Sequence, residues 1–222
     1  MNQVIQYYDK IAASYDVGRF GNSYGQFIDT QERKVLNHLA VGQNEFVLDL
    51  ACGSGRLLAY ADMGLDASTE MLKLANEKFP GKPTLHADAD AIPLSSASLD
   101  AVISFHFFMH LDRPRIEKIL CEIHRVLKGG GRFIFDIPSG RRRKLLGYSA
   151  NTWHGAYSAT LEEMNEMVHD KFILKSTHGL LLLPLHRIPK RLRKFFLWLD
   201  YHSANSFLKE YSSYLIIELR KK

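Results

Sequence analysis

Short apolar runs alternate with longer amphipathic segments along the first two thirds of the chain. The apolar runs predict five strands, at 45–50, 62–66, 83–87, 99–105 and 131–137. Between several of these runs, apolar residues recur at the spacing of a helix face. Strands that alternate with helices are typical of a parallel, doubly wound sheet, so the pattern predicts an α/β fold.

The clearest predicted helix covers residues 113–128. Its apolar residues form one stripe at helical spacing: Ile116, Ile119, Leu120, Ile123 and Leu127. Asp112 and Pro114 are typical of a helix start, and the three glycines at 129–131 are typical of a helix end. A second helix is predicted at 69–79, with Ser68 as its N-cap and Glu70 in its first turn.

The two ends of the chain have less regular patterns. Helices are predicted at 2–15 and 26–39, joined by a loop that contains Gly18, Gly21 and Gly25, and we interpret this N-terminal part as a cap or lid. Near the C-terminus, 171–183 and 212–220 read as strands that flank a basic, aromatic helix near 189–200. We therefore predict one domain over 1–222, with a helical cap (1–40), a ligand-binding core (41–137) and a basic substrate-side region (138–222).

Composition and charge narrow the class of protein. A chain of 222 residues with 46% hydrophobic and 24% charged residues fits one globular domain. Two cysteines are too few for a disulfide framework, and no signal peptide or membrane-spanning run is visible, so we expect a cytoplasmic protein. Residues 138–222 hold 15 Lys and Arg against 7 Asp and Glu, which fits either an anionic partner or a solvated basic face.

The segment VLDLACGSG at 47–55 carries the strongest chemical signal. A buried strand ends there beside Asp49, and Gly53 and Gly55 allow a tight turn whose backbone a ligand can approach. The third glycine of the dinucleotide fingerprint would fall at Leu58 and is missing. This counts against a pyrophosphate ligand and favours an adenosyl compound without phosphates.

Three acids follow the first three predicted strands in a regular order. Asp49 lies at the end of the first strand, Asp66 follows the second and Asp88 follows the third. Because the carboxyl ends of adjacent parallel strands meet at one crevice, we expect these acids to share a site. Asp66 is placed to accept ribose hydroxyls and Asp88 to accept from an adenine amine. The alternative is that each acid only stabilises a turn or a helix start.

These motifs together resemble the class I S-adenosylmethionine-dependent methyltransferases, in the branch that acts on small molecules and lipids and includes quinone-biosynthesis enzymes. The resemblance covers about 46–137, through VLDLACGSG, GLDASTEMLKLA, HADADAIPLSSASLDAVIS and EIHRVLKGGGRFIF. It implies a doubly wound, Rossmann-like sheet of seven strands, mostly parallel, with helices on both faces. The last strand is expected to run antiparallel beside the fifth.

The resemblance also implies a role for each residue that matches the family's motifs. S-adenosylmethionine would be the cofactor, and its binding residues would be Asp49, Gly53, Ser54, Gly55, Asp66, Ala67, Met71, Asp88, Ala89 and Ser104. Asp49 and the glycines would line its methionine and sugar side, Asp66 its ribose, and Met71, Asp88 and Ala89 its adenine. Ser104 and His106 would face the methionine moiety and the methyl group. Asp66 follows Gly55 by only 11 positions, which predicts a compact first helix.

Catalytic chemistry is less clearly marked. An oxygen acceptor usually needs a base, for which His106 or His110 are candidates, although a histidine after a strand is often structural. No Cys-x-x-Cys pattern is present, and no metal is predicted. The turn at 52–55 lacks the Gly-x-Ser-x-Gly spacing that hydrolases place after a strand. Residues 104–107 also lack the signature of base-modifying methyltransferases, so nucleic acid is a disfavoured partner.

The C-terminal third is expected to select the substrate. Ile188, Leu192, Phe195, Phe196 and Leu199 form one predicted apolar helix face within the basic segment 187–199. Such a face either rests on an anionic membrane surface or covers the sheet. The leading hypothesis is an enzyme that methylates a small-molecule or lipid-like acceptor. The alternative is a non-catalytic protein that binds S-adenosylmethionine and regulates a partner; an RNA or protein methyltransferase is less favoured.

Overall fold

The computed structural model describes residues 3–148, 155–183, 188, 189, 191 and 193–222. Within these residues the strands are β1 (Val47–Leu50), β2 (Met63–Asp66), β3 (Thr84–His86), β4 (Leu99–Ser104), β5 (Leu127–Pro138), β6 (Phe172–Leu180) and β7 (Tyr214–Lys221). The helices are α1 (Gln3–Phe20), α2 (Ser23–His38), α3 (Thr69–Lys78), α4 (Arg113–Val126), α5 (Gly140–Leu145), α6 (Leu161–Val168) and α7 (Arg193–Ala204). None of the described helices is long and apolar enough to cross a bilayer.

The strands form one sheet in the order β3-β2-β1-β4-β5-β7-β6. Strands β1 to β5 pair in parallel, whereas β7 runs antiparallel to both β5 and β6. The predicted seven-stranded, mostly parallel sheet with an antiparallel last strand beside the fifth is confirmed. The strand order reverses between β1 and β4, and open α/β sheets bind ligands at the carboxyl ends of strands at such a switch point.

Helices cover both faces of the sheet because the central strands are apolar on both sides. On one face, Ile116, Ile119 and Ile123 of α4 pack against a cluster that includes Leu48 and Phe133. On the other face, Val35 and Leu36 of α2 pack against Val47, Ala101 and Ile103. Each fully buried aliphatic side chain of this kind contributes roughly 1.5–3 kcal/mol, so the two layers fix the sheet that carries the site.

The two central helices begin where their caps predict. The Asp112 side chain accepts from the Arg115 amide at the start of α4, and the Ser68 hydroxyl accepts from the Met71 amide at the start of α3. Helix α4 ends at Val126, two residues before the predicted end, because Leu127 already pairs with Leu99 in the sheet. The strand β5 therefore begins earlier than the predicted 131.

The predicted glycine loop near the N-terminus is wrong. Helix α1 continues through Gly18 to Phe20, and only two residues separate it from α2. The Asn22 side chain caps α2 by accepting from the amides of Tyr24 and Gly25. A Cβ at Gly25 would lie 2.0 Å from the Arg19 carbonyl oxygen, so a glycine is needed for this close approach of the two helices.

The C-terminal prediction is confirmed for the strands and wrong for the single apolar helix face. Strands β6 and β7 lie within the two predicted segments, apart from the last residue of β7. Ile188 and Phe196 pack against Phe27 and Ile28, whereas Phe195 on the adjacent helix position is 65% exposed. Leu192 and Arg187 lie outside the described residues. The predicted stripe therefore divides between the core and the surface.

Candidate functional site

A cavity lies at the carboxyl edge of β1, β2 and β4, beneath helix α1. Residues after all three strands line it, together with Val4, Ile5, Tyr8 and Tyr15 of α1. The backbone takes the left-handed region at Ala51, just after β1 (φ 58°), and at His106, just after β4 (φ 57°). Such backbone strain in non-glycine residues clusters at functional sites.

The turn after β1 presents open backbone to this cavity. Gly53 has φ 54°, and no atom lies within 4 Å of the position that a Cβ would occupy. The Gly53 amide donates to Asp66 Oδ2 at 2.8 Å, and the Ser68 amide donates to Asp66 Oδ1 at 2.8 Å. Both carboxylate oxygens of Asp66 are thus oriented by backbone amides. Because each oxygen can accept more than one hydrogen bond, acceptor capacity remains for a ligand.

Asp49 lies deeper, in an adjoining space that Gly53, Ser54 and His106 also line. Its side chain makes no ion pair among the described residues, and burial raises its pKa to about 7, with Asp66 adding to the rise and Arg56 opposing it. A carboxyl group with this pKa is partly protonated near neutral pH. A positive charge placed beside it favours the ionised form and would form an ion pair with it.

The residues predicted to contact an adenine come together on the far side of the cavity. Ala67, Met71, Asp88 and Ala89 all line it. Both carboxylate oxygens of Asp88 accept from one Arg115 guanidinium nitrogen, at 2.6 and 2.8 Å. Arg115 therefore fixes the orientation of Asp88 at the cavity wall.

Two of the predicted binding residues lie away from these spaces. The Ser104 side chain is fully buried and its hydroxyl donates to the Leu50 carbonyl at 2.8 Å, which links β4 to β1. Gly55 has φ 78°, and a Cβ there would lie 3.2 Å from Ala75 of α3. Neither residue lines the cavity or its adjoining space. Their observed contacts are those of sheet pairing and helix packing.

His106 lines the cavity, but its ring nitrogens face two buried carboxylates. Nε2 lies 2.8 Å from Glu32 Oε1, and Nδ1 lies 3.5 Å from Asp136 Oδ2, although neither contact has hydrogen-bond geometry. Asp136 Oδ1 accepts from the His106 amide at 2.6 Å. Both carboxylates are buried beside this one ring, so the short distances bring their charge close to it. To remove a proton from a methyl acceptor, a histidine needs a ring nitrogen that faces the acceptor. In His106 a carboxylate lies beside each ring nitrogen.

These three side chains also form the one group among the described residues with the composition of a metal site. Glu32, His106 and Asp136 offer ligand atoms within 4.8 Å of one another. Glu32 Oε2 already pairs with Arg56 at 2.7 Å. Burial alone would raise the pKa of Glu32, but Arg56 and His106 hold it below its usual range, whereas burial raises the pKa of Asp136. We call this set, with Arg56, the closed cluster.

Two of the side-chain hydrogen bonds that attach helix α1 to the site come from serines. The Ser68 hydroxyl donates to Asp9 and the Ser54 hydroxyl donates to Asp16, each at 2.6 Å. The attachment points are the turns that follow β2 and β1. The helix therefore covers both halves of the cavity.

Several residues of the site were not identified from the sequence: Tyr8, Tyr15, Arg19, Glu32, Arg115 and Asp136. Tyr8 and Tyr15 are seven residues apart, which places them on one helix face, and this spacing is a usable signal. Glu32 and Asp136 are 104 positions apart in the chain and meet only in the folded sheet. No local pattern predicts that contact.

Comparison with known proteins gives a consistent family. The profile of a family described as "Methyltransferase domain" matches residues 48–135. A demethylmenaquinone methyltransferase of Thermotoga maritima is 34% identical over 161 residues, which cover 66% of this chain and 68% of that protein. An uncharacterized protein of Methanocaldococcus jannaschii is 38% identical over 136 residues, or 60% of this chain, and the chain spans about half (51%) of its length.

The fold has close counterparts among solved structures. One chain in a Haloferax volcanii complex with the Trm112 methyltransferase activator superposes with a TM-score of 0.68, covering 98% of this chain and 97% of that one. The identity is 20%, so this likeness concerns the fold. The matched motifs, the strand order and the cavity at the switch point agree with the sequence relatives. The chain belongs to the class I S-adenosylmethionine-dependent methyltransferases.

Proposed function

We propose that this protein transfers a methyl group from S-adenosylmethionine to a small-molecule or lipid-like acceptor. The observation that carries the proposal is the open glycine turn beside a half-buried, amide-oriented carboxylate, at the switch point of the sheet. A side chain at Gly53 would fill the space where a ligand can meet the backbone. Asp49 and Asp66 supply acceptor oxygens on either side of that turn.

Different residues of the cavity would bind different parts of the cofactor. Asp66 would accept the two ribose hydroxyls, and Asp88 with Ala89 would meet the adenine edge while Met71 packs against its face. Asp49, Gly53 and Ser54 would hold the methionine end. Gly55 and Ser104 would contribute indirectly. Gly55 allows the turn to pack against α3, and Ser104 links β4 to β1.

The bound cofactor supplies a methyl group that is already activated on a sulfonium. The protein therefore has to orient an acceptor, exclude water and keep the two reactants together, and orientation alone reaches effective molarities of roughly 10⁵ M or more. Helix α1 covers the cavity with apolar and aromatic side chains. His106 would contribute shape at the methyl end rather than take a proton, since carboxylates flank both of its ring nitrogens.

The acceptor class is inferred from a relative and from the surface of α7. The Thermotoga maritima relative is named for a quinone substrate, which favours a small, partly apolar acceptor. Phe195 and Trp198 of α7 are 65% and 63% exposed, which fits peripheral contact with a membrane that holds such an acceptor. This membrane contact through 187–199 and the cytoplasmic location stay predictions.

Calorimetry with S-adenosylhomocysteine tests the cofactor assignment. Asp66→Ala is expected to weaken binding by more than tenfold, because it removes the acceptor of two hydroxyl hydrogen bonds, each worth about 0.5–1.5 kcal/mol. Glu70→Ala is the matched control, since Glu70 is partly exposed on the adjacent helix turn and pairs with Lys73. Equal affinity of Asp66→Ala and wild type would contradict the ribose assignment. Binding without methyl transfer to any fraction of a cell extract would favour the non-catalytic alternative.

A further inference from the structure

A second space adjoins the cofactor cavity and has a different chemical character. It is lined by Tyr7, Tyr8, Tyr15, Arg19, His106 and His110, among others, and we call it the aromatic chamber. Four of these residues, Tyr8, Tyr15, His106 and His110, also line the cofactor cavity. A molecule in the aromatic chamber would therefore lie directly beside one in the cofactor cavity.

Aromatic rings form much of the chamber wall. The Tyr7 and Tyr8 rings meet edge to face at 5.4 Å between centroids, and the Tyr8 and Tyr15 rings meet at 5.8 Å. The Tyr8 ring also lies 6.1 Å from that of His110. Rings in this arrangement favour a flat, unsaturated guest, because further edge and face contacts remain available to it.

Arg19 brings a positive charge to this wall without an acidic partner. Its guanidinium is half-buried and makes no ion pair with a carboxylate among the residues that the structure describes. Its neighbours are the phenols of Tyr15, Tyr24 and Tyr214, and they favour its charged form and raise its pKa, whereas burial acts in the opposite direction. A buried charge is costly unless it is paired, so this guanidinium is suited to an anionic group of a ligand.

The Tyr8 hydroxyl is directed by a chain of two hydrogen bonds. His110 Nδ1 accepts from the Gly155 amide at 3.1 Å, so in the neutral ring the proton is on Nε2. His110 Nε2 lies 3.1 Å from the Tyr8 oxygen and then donates to it. The Tyr8 proton is left for another acceptor, and burial raises the pKa of Tyr8, so the phenol keeps that proton at neutral pH.

We propose that the aromatic chamber is the acceptor site and that it binds a planar acceptor as an oxyanion, a phenolate or enolate, held by Arg19 and Tyr8. This inference rests on the proposed function and specifies its acceptor. It also fits the two histidines that the described residues place in the cavity wall, whose ring nitrogens already have neighbours. His106 is flanked by carboxylates, and His110 Nδ1 is occupied by an amide, so the acceptor arrives already ionised.

The probe for this site is 4-nitrophenol, whose ionised form absorbs visible light, and its neutral methyl ether, 4-nitroanisole, is the comparison. With S-adenosylhomocysteine bound, wild-type protein is expected to bind the phenolate at least about tenfold more tightly than the ether, as a charge-assisted hydrogen bond requires. Arg19→Gln should abolish that preference, and Tyr8→Phe should reduce it about fivefold. Lys10→Gln removes an exposed charge from the same helix and should change nothing.

His110 acts in this proposal as a positioning residue, which a double-mutant cycle tests. Tyr8→Phe and His110→Phe should each weaken phenolate binding, and the double variant should lose no more than the larger single effect, since both remove one hydrogen-bonded unit. A purely structural His110 would instead weaken phenolate and ether equally. That outcome would overturn the positioning role.

Three results would overturn the acceptor site. They are equal binding of phenolate and ether, no binding of the phenolate at all, and loss of S-adenosylhomocysteine affinity in Arg19→Gln, which would place the guanidinium on the cofactor carboxylate. Failure of wild-type protein to bind S-adenosylhomocysteine is a separate result. It would contradict the proposed function. The binding of S-adenosylhomocysteine is therefore measured before the phenol is added.

Discussion

Two sets of carboxylates at the same edge of the sheet differ in what they bind. Asp66 in the cofactor cavity accepts from two backbone amides, and Asp49 beside it has no ion-pair partner among the described residues. In the closed cluster, Glu32 and Asp136 face Arg56 and His106. Backbone amides orient Asp66 and leave it able to accept from a ligand, whereas buried charged side chains occupy Glu32 and Asp136. Asp88 pairs with Arg115, but its side chain is 38% exposed and so remains accessible to a ligand. The comparison teaches that the partner and its burial, and not the residue type, decide which acids are available for binding.

The comparison predicts its largest effect in the closed cluster. Glu32→Gln removes the buried one of the two carboxylates that pair with Arg56, the other being Asp29, and it also removes the charge beside His106. The free energy of unfolding is expected to fall by about 3 kcal/mol, the lower end for a broken buried pair. Urea denaturation measures the loss. Glu117→Gln, on the exposed side of α4, is the control and should not move the midpoint. A stable Glu32→Gln variant with lost S-adenosylhomocysteine affinity would assign the closed cluster to the binding site instead.

A smaller effect, which depends on pH, is expected at Asp49. Its pKa of about 7 lies above that of an unfolded aspartate, so the folded protein binds the extra proton between pH ~4 and ~7. Stability is therefore lost as the pH rises through that window, and Asp49→Asn should be more stable than wild type at pH 8 by about 2–4 kcal/mol. Denaturation of both proteins at pH 5 and pH 8 measures this difference.

A second test of Asp49 uses cofactor binding, which is expected to release the proton that folding takes up. A cation beside Asp49 favours its ionised form, so binding near pH 6.5 should release a proton in wild type but not in Asp49→Asn. Calorimetry with S-adenosylmethionine in two buffers of different ionisation enthalpy counts that proton. Equal proton release by both proteins would show that another group titrates.

The smallest effect is expected at Arg115. Its pair with Asp88 is partly exposed, at 25% and 38% of the two side chains, and pairs of this kind contribute about 0.2–1 kcal/mol. Arg115→Gln should therefore weaken S-adenosylhomocysteine binding by about threefold and leave the urea midpoint almost unchanged. Arg113→Gln lies on the same helix and pairs with Glu117 away from the cavity, so it is the control. A large loss of stability in Arg115→Gln would show that the Arg115–Asp88 pair stabilises the fold, contrary to this prediction.

Local chemistry made much of the fold predictable. Ser68 and Asp112 cap helices where their side chains indicate, and the apolar stripe of α4 is buried. Two helix boundaries were predicted wrongly, the start of α2 and the end of α4. Asn22 starts α2 earlier than the glycines suggested, and Leu127 leaves α4 for the sheet. Both outcomes depend on contacts with distant or preceding backbone, which hydrophobic periodicity does not report.

The candidate site was predictable only where it follows the strands. Asp49, Asp66 and Asp88 were found because parallel strands bring their carboxyl ends to one crevice. Arg19 and Glu32 come from helices that pack over that crevice, and the direction of a helix across a sheet edge is set by tertiary packing. The partners that distinguish an open acid from a closed one were therefore invisible in the sequence.

The two serine–aspartate hydrogen bonds of α1 have a kinetic consequence. Ser54 and Ser68 belong to the turns that bound the cavity, so the helix is fastened at both ends of the space it covers. The Tyr8 hydroxyl and Asp16 add contacts with His110 and Lys78. Where entry or release of a ligand needs this helix to move, turnover is expected to depend on how firmly these contacts hold it.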